Sequence, residues 1–99
     1  MQKNQDTKQT DVRRQILIVD DEEINREILG DAVNNDYDLL YAADGREALE
    51  LIRANSRTLS LVLLDLIMPR MNGLELLRIK RADPKIRDIP VIEIGRAHV

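Results

Sequence analysis

Three aspartates stand directly after two apolar runs, and their carboxylates are the side chains best suited to chemistry. Residues 16–19 (ILIV) lead into Asp20 and Asp21, and residues 61–64 (LVLL) lead into Asp65. A short apolar run that stops at a carboxylate is typical of a buried strand that ends in a loop. Ligands bind at the carboxyl ends of strands in an open α/β sheet, so neighbouring parallel strands would bring the three acids together. Their mutual repulsion would then require a divalent cation or raised pKa values.

Asp20 and Asp65 also each have a purely structural interpretation. Asp20 followed by Glu23 matches the acidic form of a capping box, and acids favour a helix N-terminus. Asp65 alone could be a solvated acid where a strand meets a loop. However, residues 20–23 are four acids in a row, which exceeds what capping requires.

The loop after Asp65 is predicted to be rigid. A proline at position 69 restricts the residue before it to extended geometry. The pair Asn72-Gly73 permits a tight turn with positive φ. Such a loop could aim the backbone carbonyl of Ile67 at a metal held by Asp21 and Asp65.

Composition narrows the class of protein. The 99 residues suffice for one small domain, with 43% hydrophobic and 33% charged residues. A net charge of -3 and only 2% aromatic residues argue against a nucleic-acid surface. The absence of cysteine excludes disulfides and thiolate metal sites, and the lone His98 cannot build a histidine site. No segment approaches the ~20 apolar residues of a membrane span.

The acidic positions must be held by alternating strands and helices. Residues 1–14 are polar, do not resemble a secretory signal, and are predicted to be a flexible leader of a cytoplasmic protein. A βαβαβαβ order predicts a parallel sheet with right-handed crossovers and helices on both faces. The predicted strands are 15–19, 38–43, 61–64 and a fourth from 91 onward, and the predicted helices are 23–33, 46–54 and one that starts at 72 or 73 and ends before 83.

Apolar spacing supports each predicted helix. In the first, Ile24, Ile28 and Ala32 repeat every fourth residue, with Leu29 and Val33 alongside. The inward positions of the second are Ala48, Leu49 and Ile52, and those of the third are Leu74, Leu77 and the stem of Lys80.

Three segments together resemble a response-regulator receiver domain of two-component signalling. They are residues 16–23 (ILIVDDEE), Asp44-Gly45 with Ala48-Leu49, and residues 62–77 (VLLDLIMPRMNGLELL). The joint pattern of an acidic pair and a D-x-x-M-P-x-M-x-G block is specific, and the likeness runs over residues 15–92. It implies a flavodoxin-like, doubly wound parallel sheet in three αβα layers. The implied strand order is 2-1-3-4, with the fifth strand and the last helices missing.

The resemblance also implies roles for single residues. Asp65 matches the phosphoacceptor, which attacks the phosphorus of a phosphohistidine in a sensor histidine kinase or phosphotransfer protein. Asp20 and Asp21 match the acidic pair that binds Mg²⁺ with Asp65, and Ile67 matches the position whose backbone carbonyl completes the protein ligands. The domain is expected to be a signalling module rather than an enzyme, without direct contact to nucleic acid or membrane. The output domain cannot be named from this sequence.

Two elements of the family pattern are missing. Receivers use a Thr or Ser after strand four and a Lys after strand five, but here Gly95 stands at the hydroxyl position and no lysine follows Lys85. An interaction module of the same fold that is not phosphorylated is therefore the alternative. A flavin enzyme is disfavoured because Glu22-Glu23 would repel its phosphate. An aspartate-nucleophile phosphatase is disfavoured because Ile67 stands where it needs a second acid.

The last residues have a non-biological explanation. Residues 94–99 (IGRAHV) are what ATC GGA AGA GCA CAC GTC encodes, which resembles the start of a widely used short-read sequencing adapter. The hypothesis is that residues 93–99 are a non-native tail on a partial receiver domain. Different codons in the underlying nucleotides would refute it.

Overall fold

Four parallel strands form the sheet that positions the acids. The computed structural model describes residues 14–33, 36–66 and 72–94. The sheet order is β2-β1-β3-β4, which confirms the predicted doubly wound α/β fold and its 2-1-3-4 order. The strands are β1 (Gln15–Val19), β2 (Asp38–Ala42), β3 (Leu59–Asp65) and β4 (Val91–Ile94), and the helices are α1 (Glu23–Val33), α2 (Gly45–Ala54) and α3 (Gly73–Ala82).

The strand ends differ slightly from the predicted limits. β3 is longer than residues 61–64 at both ends, because Leu59 is still paired with β1 and Asp65 with β4. β4 begins at Val91 as predicted and runs to Ile94, since Glu93 lies opposite Leu64 and Ile94 opposite Asp65. The predicted domain limits stay a prediction, and residues 1–13 and 95–99 lie outside the described part of the chain.

α2 and α3 cover one face of the sheet and enclose the larger core. The strands supply alternate side chains to this face, as their period of two requires. Two of these side chains, Leu17 and Leu64, are fully buried. The buried residues of this cluster are Leu17, Val19, Ala42, Ala48, Ile52, Leu59, Val62, Leu64, Leu76 and Ile86.

α1 covers the other face and encloses a smaller core. Ile16, Ile18 and Leu63 are its buried residues, and Leu29 and Val33 of the helix pack on them. The stripe of Ile24, Ile28 and Ala32 that supported the helix prediction lies on the outside, with both isoleucines 60% exposed.

The third helix also differs from the expected pattern. Leu76 is buried, whereas the predicted inward residue Leu74 is 65% exposed. Lys80 is buried as predicted for its stem, and its ammonium donates a 3.0 Å hydrogen bond to the Arg87 carbonyl. Among the described residues, every helix is too short or too polar to cross a lipid bilayer.

Candidate functional site

The register of β1 and β3 places two of the acids side by side. Val19 and Leu64 are partners across the two parallel strands, so the next residues, Asp20 and Asp65, lie at the same level at the carboxyl ends of these strands. The Asp20 amide still donates to the Ala42 carbonyl at 3.1 Å, which fixes its backbone to the end of β2. The carboxyl edge of the sheet therefore holds both acids on rigid backbone.

Asp21 completes a cluster of three carboxylates. One oxygen from each of Asp20, Asp21 and Asp65 lies within 4.8 Å of the others. Asp20 is 5% and Asp65 2% exposed, whereas Asp21 is exposed. The convergence expected from the sequence is present in the structure. Two of the acids in this acidic pocket are therefore buried and one is exposed.

The Asp20 carboxylate also stabilises the turn into α1. Its Oδ1 accepts a 3.0 Å hydrogen bond from the Glu22 amide. The predicted capping box with Glu23 is not the contact that forms, because the bond goes to residue 22 rather than 23. The structural and the chemical interpretations of Asp20 are compatible, since one oxygen serves the turn and the carboxylate still faces the cluster.

Two polar residues of α1 support the pocket, and the sequence analysis did not single them out. Arg26 donates from Nη1 to the Asp20 carbonyl oxygen at 2.7 Å. Asn25 donates from Nδ2 to Asp20 Oδ1 at 3.5 Å and to Glu22 Oε1 at 3.2 Å. The guanidinium brings a positive charge to an acidic edge. No rule of spacing marks residues five and six positions after an acid, so the sequence carries no signal for them.

The start of α3 lies directly against the end of β3. Asn72 caps this helix by accepting a 2.9 Å hydrogen bond from the Glu75 amide. The Gly73 amide donates to the Leu66 carbonyl at 3.1 Å. The expected positive φ at Asn72-Gly73 is wrong, because Asn72 has φ -78° and no glycine in the described ranges has positive φ. Gly73 is the first helical residue.

The donor set of the pocket fits Mg²⁺. This ion prefers carboxylate oxygens and waters in octahedral geometry, with bonds of about 2.1 Å. Oxygens on such an ion are about 3 Å apart when adjacent and about 4 Å apart when opposite. The three oxygens lie within 4.8 Å of one another, and they would move closer together on binding one ion. Ile67, the predicted source of a fourth protein ligand, lies outside the described residues.

Comparison with known proteins identifies the family. A sequence profile of the response regulator receiver domain matches residues 16–98. The chemotaxis protein CheY1 of Helicobacter pylori is 39% identical over 90 residues, which cover 85% of this chain and 72% of CheY1. The polar-differentiation response regulator DivK of Brucella anthropi is 32% identical over 82 residues, which cover 82% of this chain and 65% of DivK.

A solved structure agrees in fold. The Mn²⁺-bound form of response regulator Rcp1 superposes with a TM-score of 0.75 and 26% sequence identity, over 87% of this chain and 68% of that one. The chain belongs to the response regulator receiver domain family, whose members are modules of two-component signalling. It spans about two thirds of the length of the relatives it matches.

Proposed function

We propose that this domain accepts a phosphoryl group on Asp65 from a phosphohistidine, with Mg²⁺ held by the aspartate cluster. The observation that carries the proposal is the convergence of Asp20, Asp21 and Asp65 within 4.8 Å at the carboxyl edge of the sheet. Membership of the receiver family supports it. The Mn²⁺-bound Rcp1 structure supports a divalent cation in a relative.

Each acid has a distinct part in the proposed transfer. A carboxylate oxygen of Asp65 attacks the phosphorus, the phosphorus–nitrogen bond breaks, and the imidazole leaves and takes up a proton. Asp20 and Asp21 would supply the other carboxylates that hold the ion, and the carbonyl of Ile67 would be the fourth group from the protein. When bound, Mg²⁺ would offset the negative charge that builds up between the carboxylates and the phosphoryl oxygens.

Burial of Asp65 suits this role. Asp65 is 2% exposed and lies beside the exposed Asp21 at the carboxyl edge of the sheet. We infer that a donor imidazole approaches it along this edge. The proposed partners are a sensor histidine kinase or a phosphotransfer protein, and these residues do not specify an output domain.

The test is phosphorylation of the chain by acetyl phosphate in the presence and absence of Mg²⁺. We expect Mg²⁺-dependent addition of one phosphoryl group by intact-mass spectrometry, and its loss in Asp65→Asn. The matched control is Asp31→Asn, which removes the charge of an exposed aspartate on α1 and should leave the reaction unchanged.

Phosphorylation of the Asp65→Asn variant at the wild-type rate would refute the assignment of Asp65 as the phosphoacceptor. A folded wild-type chain that shows no Mg²⁺ binding and no phosphorylation would favour the alternative, a receiver-like interaction module that is not phosphorylated. Beryllofluoride with Mg²⁺ gives an independent measurement, since changes in backbone NMR shifts should centre on Asp65 and be absent in the Asp65→Asn variant.

A further inference from the structure

Two helical glycines have almost no room for a side chain. A Cβ built on Gly73 would lie 2.6 Å from the Leu66 Cα, 2.9 Å from the Leu66 Cδ2 and 3.0 Å from the Asp65 carbonyl oxygen. A Cβ built on Gly30 would lie 2.5 Å from the Tyr41 hydroxyl oxygen and 3.3 Å from Leu39 Cδ1. The obstacle at Gly73 is mostly backbone, whereas the obstacle at Gly30 is the far end of a side chain that can rotate away.

We propose that Gly73 is a positioning residue for the phosphoacceptor, because its missing side chain lets α3 rest on the backbone of Asp65 and Leu66. This inference rests on the proposed function of Asp65. Positive φ plays no part, since no described glycine adopts it. The role is one of space: only a residue without a Cβ allows the first turn of α3 to approach the end of β3 this closely.

The neighbouring contacts show how a displacement would reach the carboxylate. The Gly73 amide holds the Leu66 carbonyl at 3.1 Å, and Leu66 directly follows Asp65 in the chain. On the far side, the Leu66 amide donates to the Ile94 carbonyl at 3.4 Å. An added methyl at position 73 must push either the helix or the strand end, and the strand end carries the buried Asp65 side chain.

The expected effect falls on the metal site. An outer-shell change that misplaces a metal ligand typically weakens binding by about 10–100-fold. Gly73→Ala should therefore raise the dissociation constant for Mg²⁺ by about tenfold or more and slow acetyl-phosphate labelling of Asp65. Helix propensity works in the opposite direction, because Ala is a better helix former than Gly. A loss of binding would therefore not be explained by lower helix propensity.

The experiment is calorimetric titration of Mg²⁺ into the 99-residue wild-type chain and three variants, with urea unfolding of each. Gly30→Ala is the matched control for a methyl added to a crowded helical glycine away from the acids. Leu76→Ala is the control for instability, because it opens a cavity under α3 without adding an atom near Asp65. If a variant is partly unfolded, the titration is run with trimethylamine N-oxide, which favours the compact state.

The proposal predicts weakened binding in Gly73→Ala alone, with both controls within about twofold of wild type, the range expected of remote substitutions. Unchanged Mg²⁺ affinity in Gly73→Ala, or an equal loss of affinity in Leu76→Ala, would overturn the positioning role of Gly73. Neither result would contradict the proposed function, provided that the wild-type chain binds Mg²⁺. A wild-type chain that binds no Mg²⁺ would overturn both.

Discussion

The two faces of the sheet are packed to different extents. Of the residues that the structure describes, ten are buried in the cluster on the face covered by α2 and α3. On the face covered by α1, three residues are buried in the described part of the chain. Burial of apolar area is the main source of stability, so the α2/α3 face should supply most of it.

The thinly packed α1 side also leaves large apolar side chains exposed. Ile28 of α1 is 60% exposed and Ile92 of β4 is 53% exposed. The side chain of Ile92 extends to the α1 side of the sheet, because its neighbours Val91 and Glu93 alternate with it. The acidic site lies at the strand ends between the two faces. Both sides contact it, since Arg26 of α1 donates to the Asp20 carbonyl and the Gly73 amide of α3 donates to the carbonyl of Leu66, next to Asp65.

Adjacent leucines on β3 provide the most direct test of this comparison. Leu64 is fully buried on the α2/α3 face, and Leu63 is 7% exposed on the α1 face. Replacing leucine by alanine in a core costs about 2–5 kcal/mol, depending on how well the cavity can collapse. Leu64→Ala should lie in the upper half of that range and Leu63→Ala in the lower half. Urea unfolding followed by circular dichroism measures the free energy of unfolding of both variants. Equal losses of stability would refute the inference that the two faces contribute unequally.

Lys80 of α3 gives a second test of this comparison, because it is a buried charged residue on the better-packed α2/α3 side. Burial lowers its pKa below the ordinary value, and the charge of Asp88 opposes this only in part. In the folded chain the proton therefore leaves at lower pH than in the unfolded chain. Over the alkaline interval below the ordinary pKa, the unfolded state binds more protons, and stability rises with pH by at most about 1.4 kcal/mol per pH unit.

Lys80→Met should remove this rise in stability, as measured by urea unfolding at a series of alkaline pH values. The matched control is Lys85→Met, at an exposed position in the following turn, which should keep it. If stability still rises with pH in Lys80→Met, another titrating group causes the rise.

The smallest effects are expected at the exposed isoleucines. Neither Ile28 nor Ile92 has a buried side chain. Ile28→Gln and Ile92→Thr should therefore change the free energy of unfolding by no more than about 0.5 kcal/mol. Both should reduce self-association in sedimentation velocity, since exposed apolar patches promote it. A large destabilisation by either substitution would show that the α1 face contributes more than its burial indicates.

Much of the fold was predictable because strand ends and helix ends carry strong local signals. The limits of β1 and α1 were predicted correctly, since acids directly follow β1 and acids and turn residues flank α1. The meeting of the acids was predictable too. Once the strands are parallel and adjacent, their carboxyl ends share one edge of the sheet.

The inward faces of α1 and α3 were harder to predict for a physical reason. Ile24 and Ile28 form one apolar stripe of α1, and Leu29 and Val33 form another beside it. Periodicity identifies the helix but cannot choose between two adjacent stripes. That choice depends on which stripe meets the side chains of β1 and β3. The steric role of Gly73 was hidden for a similar reason, because the obstacle belongs to Leu66, a residue outside the helix.

The order β2-β1-β3-β4 has a consequence for synthesis on the ribosome. β1 emerges first but occupies an interior place, and its second neighbour, β3, ends only at Asp65. Translation from the end of β2 to the end of β3 takes about one to five seconds at ~5–20 residues per second. During that interval one edge of an apolar strand has no partner within the nascent chain. A holdase that recognises extended apolar segments would bind β1 during this interval and would be displaced when β3 docks.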